Sequence, residues 1–230
     1  MRLILLRHGQ TTSNVAGLLD TAEPGAGLTS LGREQAAAVP GALAGERVEA
    51  IYVSTLRRTH QTAAPLASDR ALDVVVREGL REVRAGDLEM RGDESAVRTY
   101  LETVLGWAHD ENRRMPGGES GVEVLGRFDE VVAEVAAAGL RTAVLVSHGA
   151  IIRSWASART RNVTAEFAMR NAVSNTGVVV VEGEPGAWDV ATWEGHAVGG
   201  PVVDEPRQDG PAGDRASVDA GAQRRAGTGR

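Results

Sequence analysis

The sequence predicts an α/β fold, a three-layer α/β/α sandwich whose central sheet is mostly parallel with an antiparallel edge. Three observations carry this. Short apolar runs alternate with amphipathic stretches of helical period through most of the chain, the pattern that builds parallel sheets. The runs end in polar residues and glycine, as strands do where they leave a sheet. Two further apolar runs lie close together, separated only by a Gly/Pro turn, and read as a hairpin.

Arg2 to Leu6 is a buried strand, and Arg7 to Gly27, rich in Gly, Thr and Asn, a long loop. Thr29 is a fitting N-cap for a helix from Ser30 to Ala44. Ala50 to Val53 is the second strand, Arg57 to Ala67 the second helix, and Asp73 to Val76 the third strand. Asp93 to Trp107 and Gly121 to Ala138 alternate apolar and charged residues as helices. Thr142 to Val146 is the clearest buried strand and runs into Ser147-His148-Gly149 and an apolar helix, Ala150 to Ala158. Gly177 to Val181 and Trp188 to Trp193 form the hairpin, with Gly183 and Pro185-Gly186 in the turn. From Gly199 large apolar residues nearly vanish, so residues 1–198 are expected to form the domain and 199–230 a disordered tail.

Composition excludes whole classes of chemistry. The chain has no cysteine, which rules out thiolate nucleophiles, disulfides and Cys-ligated metal sites. It has no lysine either, which rules out a Schiff base and the lysine of a P-loop. The net charge of −6 argues against a nucleic-acid partner. Leu3 to Leu6 is cut short by Arg7-His8, whereas a secretory segment needs about 7–15 apolar residues. A cytoplasmic protein without a membrane segment is expected; nothing in the sequence speaks to oligomeric state.

Ligands of open α/β sheets bind outside the carboxyl ends of the strands. Two of these ends carry the same device, Arg7-His8-Gly9 and Ser147-His148-Gly149. Either histidine alone is what an ordinary hydrogen-bonded core or loop position gives; the pair at equivalent strand ends points to a site. Gly9 would let the backbone approach a ligand, and Gly149 opens a helix whose free N–H groups suit an anion. A third strand end carries Ser54-Thr55-Leu56-Arg57-Arg58-Thr59. Guanidinium forks grip phosphate oxygens, and basic residues are otherwise disfavoured at a helix start. A carboxyl near such a site could protonate a leaving oxygen, but local sequence does not separate Glu82 from Glu78 or Glu89.

These blocks, with Gln10, Thr11 and Asn14, Gln61-Thr62-Ala63, Leu80-Arg81-Glu82 with Gly86 and Glu89, and Pro116-Gly117-Gly118-Glu119-Ser120, closely resemble the histidine phosphatase superfamily. The resemblance is to the branch similar to cofactor-dependent phosphoglycerate mutase and covers Arg2 to about Glu194. It implies that His8 is the nucleophile that becomes phosphohistidine. It places Arg7, Arg58 and His148 around the phosphate, with Asn14 as a further contact, and makes Glu82 the proton donor. Among the phosphate contacts Gly149 is expected beside these residues. No cofactor and no metal are implied, since arginines take the role a metal would have, and the partner is a small phosphorylated substrate. A bell-shaped pH profile follows from a neutral His8 and a protonated Glu82.

Three readings compete. A phosphatase passes the phosphoryl group to water, a mutase returns it to a second hydroxyl, and a non-catalytic member only binds phosphorylated ligands. Mutases of this resemblance carry a longer basic insertion after the acid, for which Val83 to Met115 is too short. All pocket residues are present, which disfavours a non-catalytic member. A serine hydrolase is excluded by the lack of a Gly-x-Ser-x-Gly elbow, and Gly25-Ala26-Gly27 lacks both the third glycine and the strand of a dinucleotide fingerprint. Leu88-Glu89-Met90 stands where the family often has a Trp-Glu-Gly-like pattern, giving a less aromatic wall. Arg113 and Arg114 read as a solvated loop pair, with contact to an acidic substrate group as the alternative. His60, His109 and His196 receive no role.

Overall fold

The computed structural model describes residues 1–200, 203, 204 and 206–212. Six strands, β1 (Arg2–Arg7), β2 (Ala50–Val53), β3 (Val74–Val76), β4 (Thr142–Ser147), β5 (Val178–Glu184) and β6 (Ala187–Glu194), form one sheet in the order β3-β2-β4-β1-β5-β6. The first four of that order are parallel, and β5 and β6 add an antiparallel edge. The helices are α1 (Thr12–Val15), α2 (Ser30–Ala42), α3 (Arg57–Arg70), α4 (Glu94–Gly106), α5 (Gly121–Ala137), α6 (Gly149–Arg159) and α7 (Ala165–Arg170).

Alternation along the strands creates two cores. Leu3, Leu5, Tyr52, Ala143, Leu145, Val179 and Val181 face α4, α5 and α6, where Tyr100, Val104, Phe128, Val132 and Trp155 fill one layer. Ile4, Leu6, Ile51, Val53, Val144, Val146, Val178 and Val180 face α2 and α3, through Val39, Ala63 and Leu66. The sheet is thus covered on both faces, which is why β1 and β4 are continuous apolar runs. This is the predicted three-layer sandwich.

Several expected boundaries move. Thr29 caps α2 as expected, accepting from the Gly32 amide at 3.0 Å, but the helix ends at Ala42. α3 runs through Pro65 to Arg70. Gly183 belongs to β5 and pairs with Trp188, so the hairpin turn is only Pro185-Gly186. The short helices α1 and α7 were not expected; each is set by a threonine cap, Thr11 and Thr164.

The expected disordered tail from Gly199 needs correction over its described part. Residues 206–208 form a 3₁₀ turn, and Asp209, Gly210 and Pro211 are buried. Composition misleads here because this stretch docks through backbone carbonyls, which need no apolar side chains: the Asp209 carbonyl accepts from Arg7 Nη2, and that of Ala212 from Arg153 Nη1 at 2.9 Å. The rest of the expected tail lies outside the described residues. Among the described residues no helix is long and apolar enough to cross a membrane.

Candidate active site

The parallel register sets Arg7 beside Ser147, so the residues that follow, His8 and His148, leave the sheet side by side. Their rings lie 5.1 Å apart, centroid to centroid, at 61°. β2 ends one strand further along and delivers Arg58 from the start of α3, a helix with no side-chain cap. Two arginines at an uncapped N-terminus oppose the helix dipole. Such a local conflict is expected where a site, rather than the helix, sets the residue.

A small hollow opens at these strand ends, lined by Arg7, His8, Asn14, Arg58, Glu82 and Tyr100 among others. His8 is 3 % exposed. Its Nδ1 lies 2.7 Å from the Gly9 carbonyl. A carbonyl only accepts, so Nδ1 carries the proton and Nε2 keeps the lone pair. Burial, then the charges of Arg58 and Arg7, hold His8 well below the ordinary imidazole pKa. The ring is therefore neutral, as a nucleophile must be.

Arg58 reaches the site with Nη2 on the Asp20 carbonyl at 3.0 Å and Nε on His148 Nδ1 at 3.2 Å. Arg7 donates Nη1 to the Val173 carbonyl at 2.7 Å. Asn14 completes the capping box of α1, its Oδ1 accepting from the Thr11 amide at 2.9 Å and from Asn175 Nδ2 at 3.3 Å. The Asn175 amide group bonds the His8 carbonyl at 3.1 Å as well.

The structure separates the three candidate acids. The Glu78 side chain is 68 % exposed and pairs with Arg81. Glu89 is occupied by the loop at Thr21 and Ala22. Glu82 is buried and faces the hollow. Its oxygens accept from the amides of Val83, Ala150 and Ile151 at 2.9, 3.1 and 3.0 Å, which fixes their direction. Arg127 braces the turn beneath by donating to the carbonyls of Gly79, Arg81 and Glu82.

Four expected contacts are placed differently. The α6 amides expected to meet an anionic ligand meet the Glu82 carboxyl instead. Gly149, expected among the phosphate contacts, does not line the hollow, because Ala212 and Arg7 cover it. Gly9, expected to admit a ligand, faces α2: a Cβ there would stand 2.6 Å from the Gly32 carbonyl. His148 is fully buried and sits behind Arg58, outside the lining of the hollow. The pair Arg113 and Arg114 lies elsewhere, bonded to the Glu102 carbonyl and to Glu123. Asp20, Tyr100, Asn175, Asp209 and Pro211 were not singled out in the sequence. Tyr100 and Pro211 act as wall, and Asp20 and Asp209 contribute backbone carbonyls, which leave no mark on side-chain identity. Among the described residues no group of three or more His, Asp or Glu side chains is placed to hold a metal ion.

The chain is similar to known proteins. Residues 3–195 match the histidine phosphatase superfamily (branch 1). The chain is 37 % identical over 212 residues to the PE-PGRS family protein PE_PGRS11 of Mycobacterium tuberculosis, covering 84 % of this chain but only 36 % of that much longer relative. It is 31 % identical to the glucosyl-3-phosphoglycerate phosphatase of the same organism, over 85 % of this chain and 95 % of the relative. A solved structure of mycobacterial glucosyl-3-phosphoglycerate phosphatase with VO3 superposes with a TM-score of 0.71, at 31 % identity, over 84 % of this chain and 98 % of that one. A putative alpha-ribazole-5'-P phosphatase from Escherichia coli K-12 gives 0.68 at 26 % identity, over 84 % and 96 %. With the match running from the first strand through the last, this chain belongs to the histidine phosphatase superfamily, branch 1, and is an enzyme of that family.

Proposed function

We propose that the chain hydrolyses small phosphomonoesters through a phosphohistidine on Nε2 of His8. The observation that carries this is the state of His8: neutral, its Nδ1 proton committed to the Gly9 carbonyl, its other nitrogen left for a hollow flanked by two guanidinium groups.

The chemistry follows. Nε2 of His8 attacks phosphorus, and the ester P–O bond breaks. The leaving oxygen takes a proton from Glu82, whose carboxyl faces the hollow. Water then attacks the phosphoryl group, giving a proton to the Glu82 carboxylate as the P–N bond breaks. His8 returns neutral and phosphate leaves. Charge on the three equatorial oxygens is met by Arg7 and Arg58, with Asn14 as a further donor, so that catalysis is positioning and electrostatics.

Hydrolysis is preferred to a mutase because of where the chain after Glu82 goes. Leu88, Ala96, Tyr100, Leu101, Val104, Trp107 and Met115 are all buried in the core under the sheet. The stretch is spent on packing, leaving no long basic segment to close over an intermediate. The relatives act, by their names, on glucosyl-3-phosphoglycerate and alpha-ribazole-5'-phosphate. Their different organic groups favour a small phosphorylated metabolite as the substrate class here, in the cytoplasm and without a nucleic-acid partner. The test is phosphate release across sugar phosphates, phosphoglycerates and nucleotides, beside isomerisation of 3-phosphoglycerate. Release from at least one compound is expected to outpace isomerisation; the reverse would overturn the proposal.

A further inference from the structure

One buried hydrogen-bond chain has its protons set at both ends. It runs from Arg58 Nε to His148 Nδ1 (3.2 Å), from His148 Nε2 to Ser54 Oγ (2.8 Å), from Ser54 Oγ to Thr59 Oγ1 (3.0 Å), and from Thr59 Oγ1 to the Leu56 carbonyl (2.8 Å). Ser54, Thr59 and His148 are all fully buried. A guanidinium N–H can only donate, so His148 Nδ1 must be bare. The Leu56 carbonyl can only accept, so Thr59 donates to it and offers its lone pair to Ser54. Ser54 then donates to Thr59 and accepts from His148 Nε2–H. Thr59 also reaches the Ser54 carbonyl at 3.2 Å, and with either carbonyl as its acceptor the direction of Ser54 and the tautomer of His148 are the same.

We propose that Ser54 and Thr59 are positioning residues that fix the tautomer of His148 and, through it, the aim of Arg58. This rests on the reading of Arg58 as a phosphate-binding group. Neither hydroxyl lines the hollow, so both act at one remove. Removing the acceptor of the Ser54 proton lets that hydroxyl turn towards His148 Nε2. The imidazole proton then belongs on Nδ1, where it meets the Arg58 Nε–H donor to donor, and Arg58 is pushed off its line. A second proton on His148 is disfavoured first by burial and then by Arg58 from α3, His8 just beyond β1, Arg127 from α5 and Arg7 from β1, and the Glu82 carboxyl is held on the Ala150 and Ile151 amides of α6.

Thr59 offers a test in which a packing role and a hydroxyl role give opposite rankings. Thr59→Val keeps the shape and loses the hydroxyl; Thr59→Ser keeps the hydroxyl and loses a methyl. With p-nitrophenyl phosphate, Thr59→Val is expected to lower kcat/KM about tenfold and Thr59→Ser by less than about twofold, a tenfold loss being one lost orienting bond in magnitude. Nitrogen-15 NMR of His148 is expected to show Nε2–H in the wild type and in Thr59→Ser, and proton density moved to Nδ1 in Thr59→Val. Equal losses, or a larger loss in Thr59→Ser, would overturn the proposal. So would an Nδ1–H tautomer in the wild type, which decides the matter even if Thr59→Val fails to fold. Should the wild type hydrolyse no phosphomonoester at all, the functional reading fails, while the tautomer still judges the hydrogen-bond chain.

Discussion

Two histidines leave adjacent strands of one sheet, each followed by glycine, yet they are built for different work. His8 touches the hollow and spends one nitrogen on its neighbour's carbonyl. His148 is sealed behind it and has both nitrogens engaged, one by Arg58 and one by Ser54. Their glycines differ as well: the face of Gly9 is filled by the carbonyl of Gly32, that of Gly149 by Arg7 and Ala212. A repeated motif therefore does not imply a repeated role. In the proposed reaction, what separates nucleophile from support is which nitrogen is left over, and that is a property of the surrounding hydrogen bonds.

The largest effect that could break this contrast lies at the histidines. His8→Ala is expected to lower phosphate release by roughly 10⁴-fold or more, in keeping with loss of a nucleophile. His148→Gln is expected to cost about 10²-fold and still form a phosphoenzyme slowly. A phosphoenzyme in His8→Ala, or none in a turning-over His148→Gln, would reverse the assignment. A smaller, selective effect belongs to the acid. In rapid-mix measurements Glu82→Gln should slow phosphoenzyme formation from an alkyl phosphate about tenfold or more, but leave p-nitrophenyl phosphate, whose leaving group needs no proton, nearly unchanged. Equal slowing counts against Glu82.

Acid stability sharpens the comparison further. Both rings have folded-state pKa values below the ordinary 6.5, through burial and the neighbouring Arg58. As pH falls below 6.5 the unfolded chain takes up protons that the folded chain refuses. The stabilisation is complete above that pH and is lost on acidification towards the folded values, at up to ~1.4 kcal/mol per pH unit for each ring. Thermal unfolding between pH 7.5 and 5 should show a shallower loss in His8→Gln than in the wild type; identical slopes would contradict the lowered pKa of His8. The smallest effect is expected at Arg113 and Arg114. Alanine at either is expected to change kcat/KM by less than about twofold, since both are held away from the hollow. A tenfold loss for an acidic substrate would restore the alternative of a substrate contact.

The frame of the fold was legible because buried parallel strands are written as bare apolar runs, as in Arg2–Arg7 and Thr142–Ser147. The side chains that face the hollow were legible where chemistry restricts the residue type: no other side chain replaces the fork of Arg58 or the imidazole of His8. Contacts made by main chain were not. The carbonyls of Asp20, Val173 and Asp209 orient the two arginines, and any residue supplies a carbonyl. For the same reason a stretch poor in apolar side chains could dock as residues 206–212 do. Local sequence did not separate Glu82 from Glu78 and Glu89; the resemblance did, and its physical ground, the amides of Ala150 and Ile151, lies far along the chain.

In the proposed reaction the phosphoryl group passes through His8. Rapid acid-free quench of the enzyme with a ³²P-labelled substrate, followed by peptide mapping, tests it directly. An acid-labile, base-stable label is expected on the peptide containing His8, formed and discharged at rates that support turnover. A label on His148 or on a carboxylate, or turnover with inversion of configuration at phosphorus and no labelled protein, would contradict it.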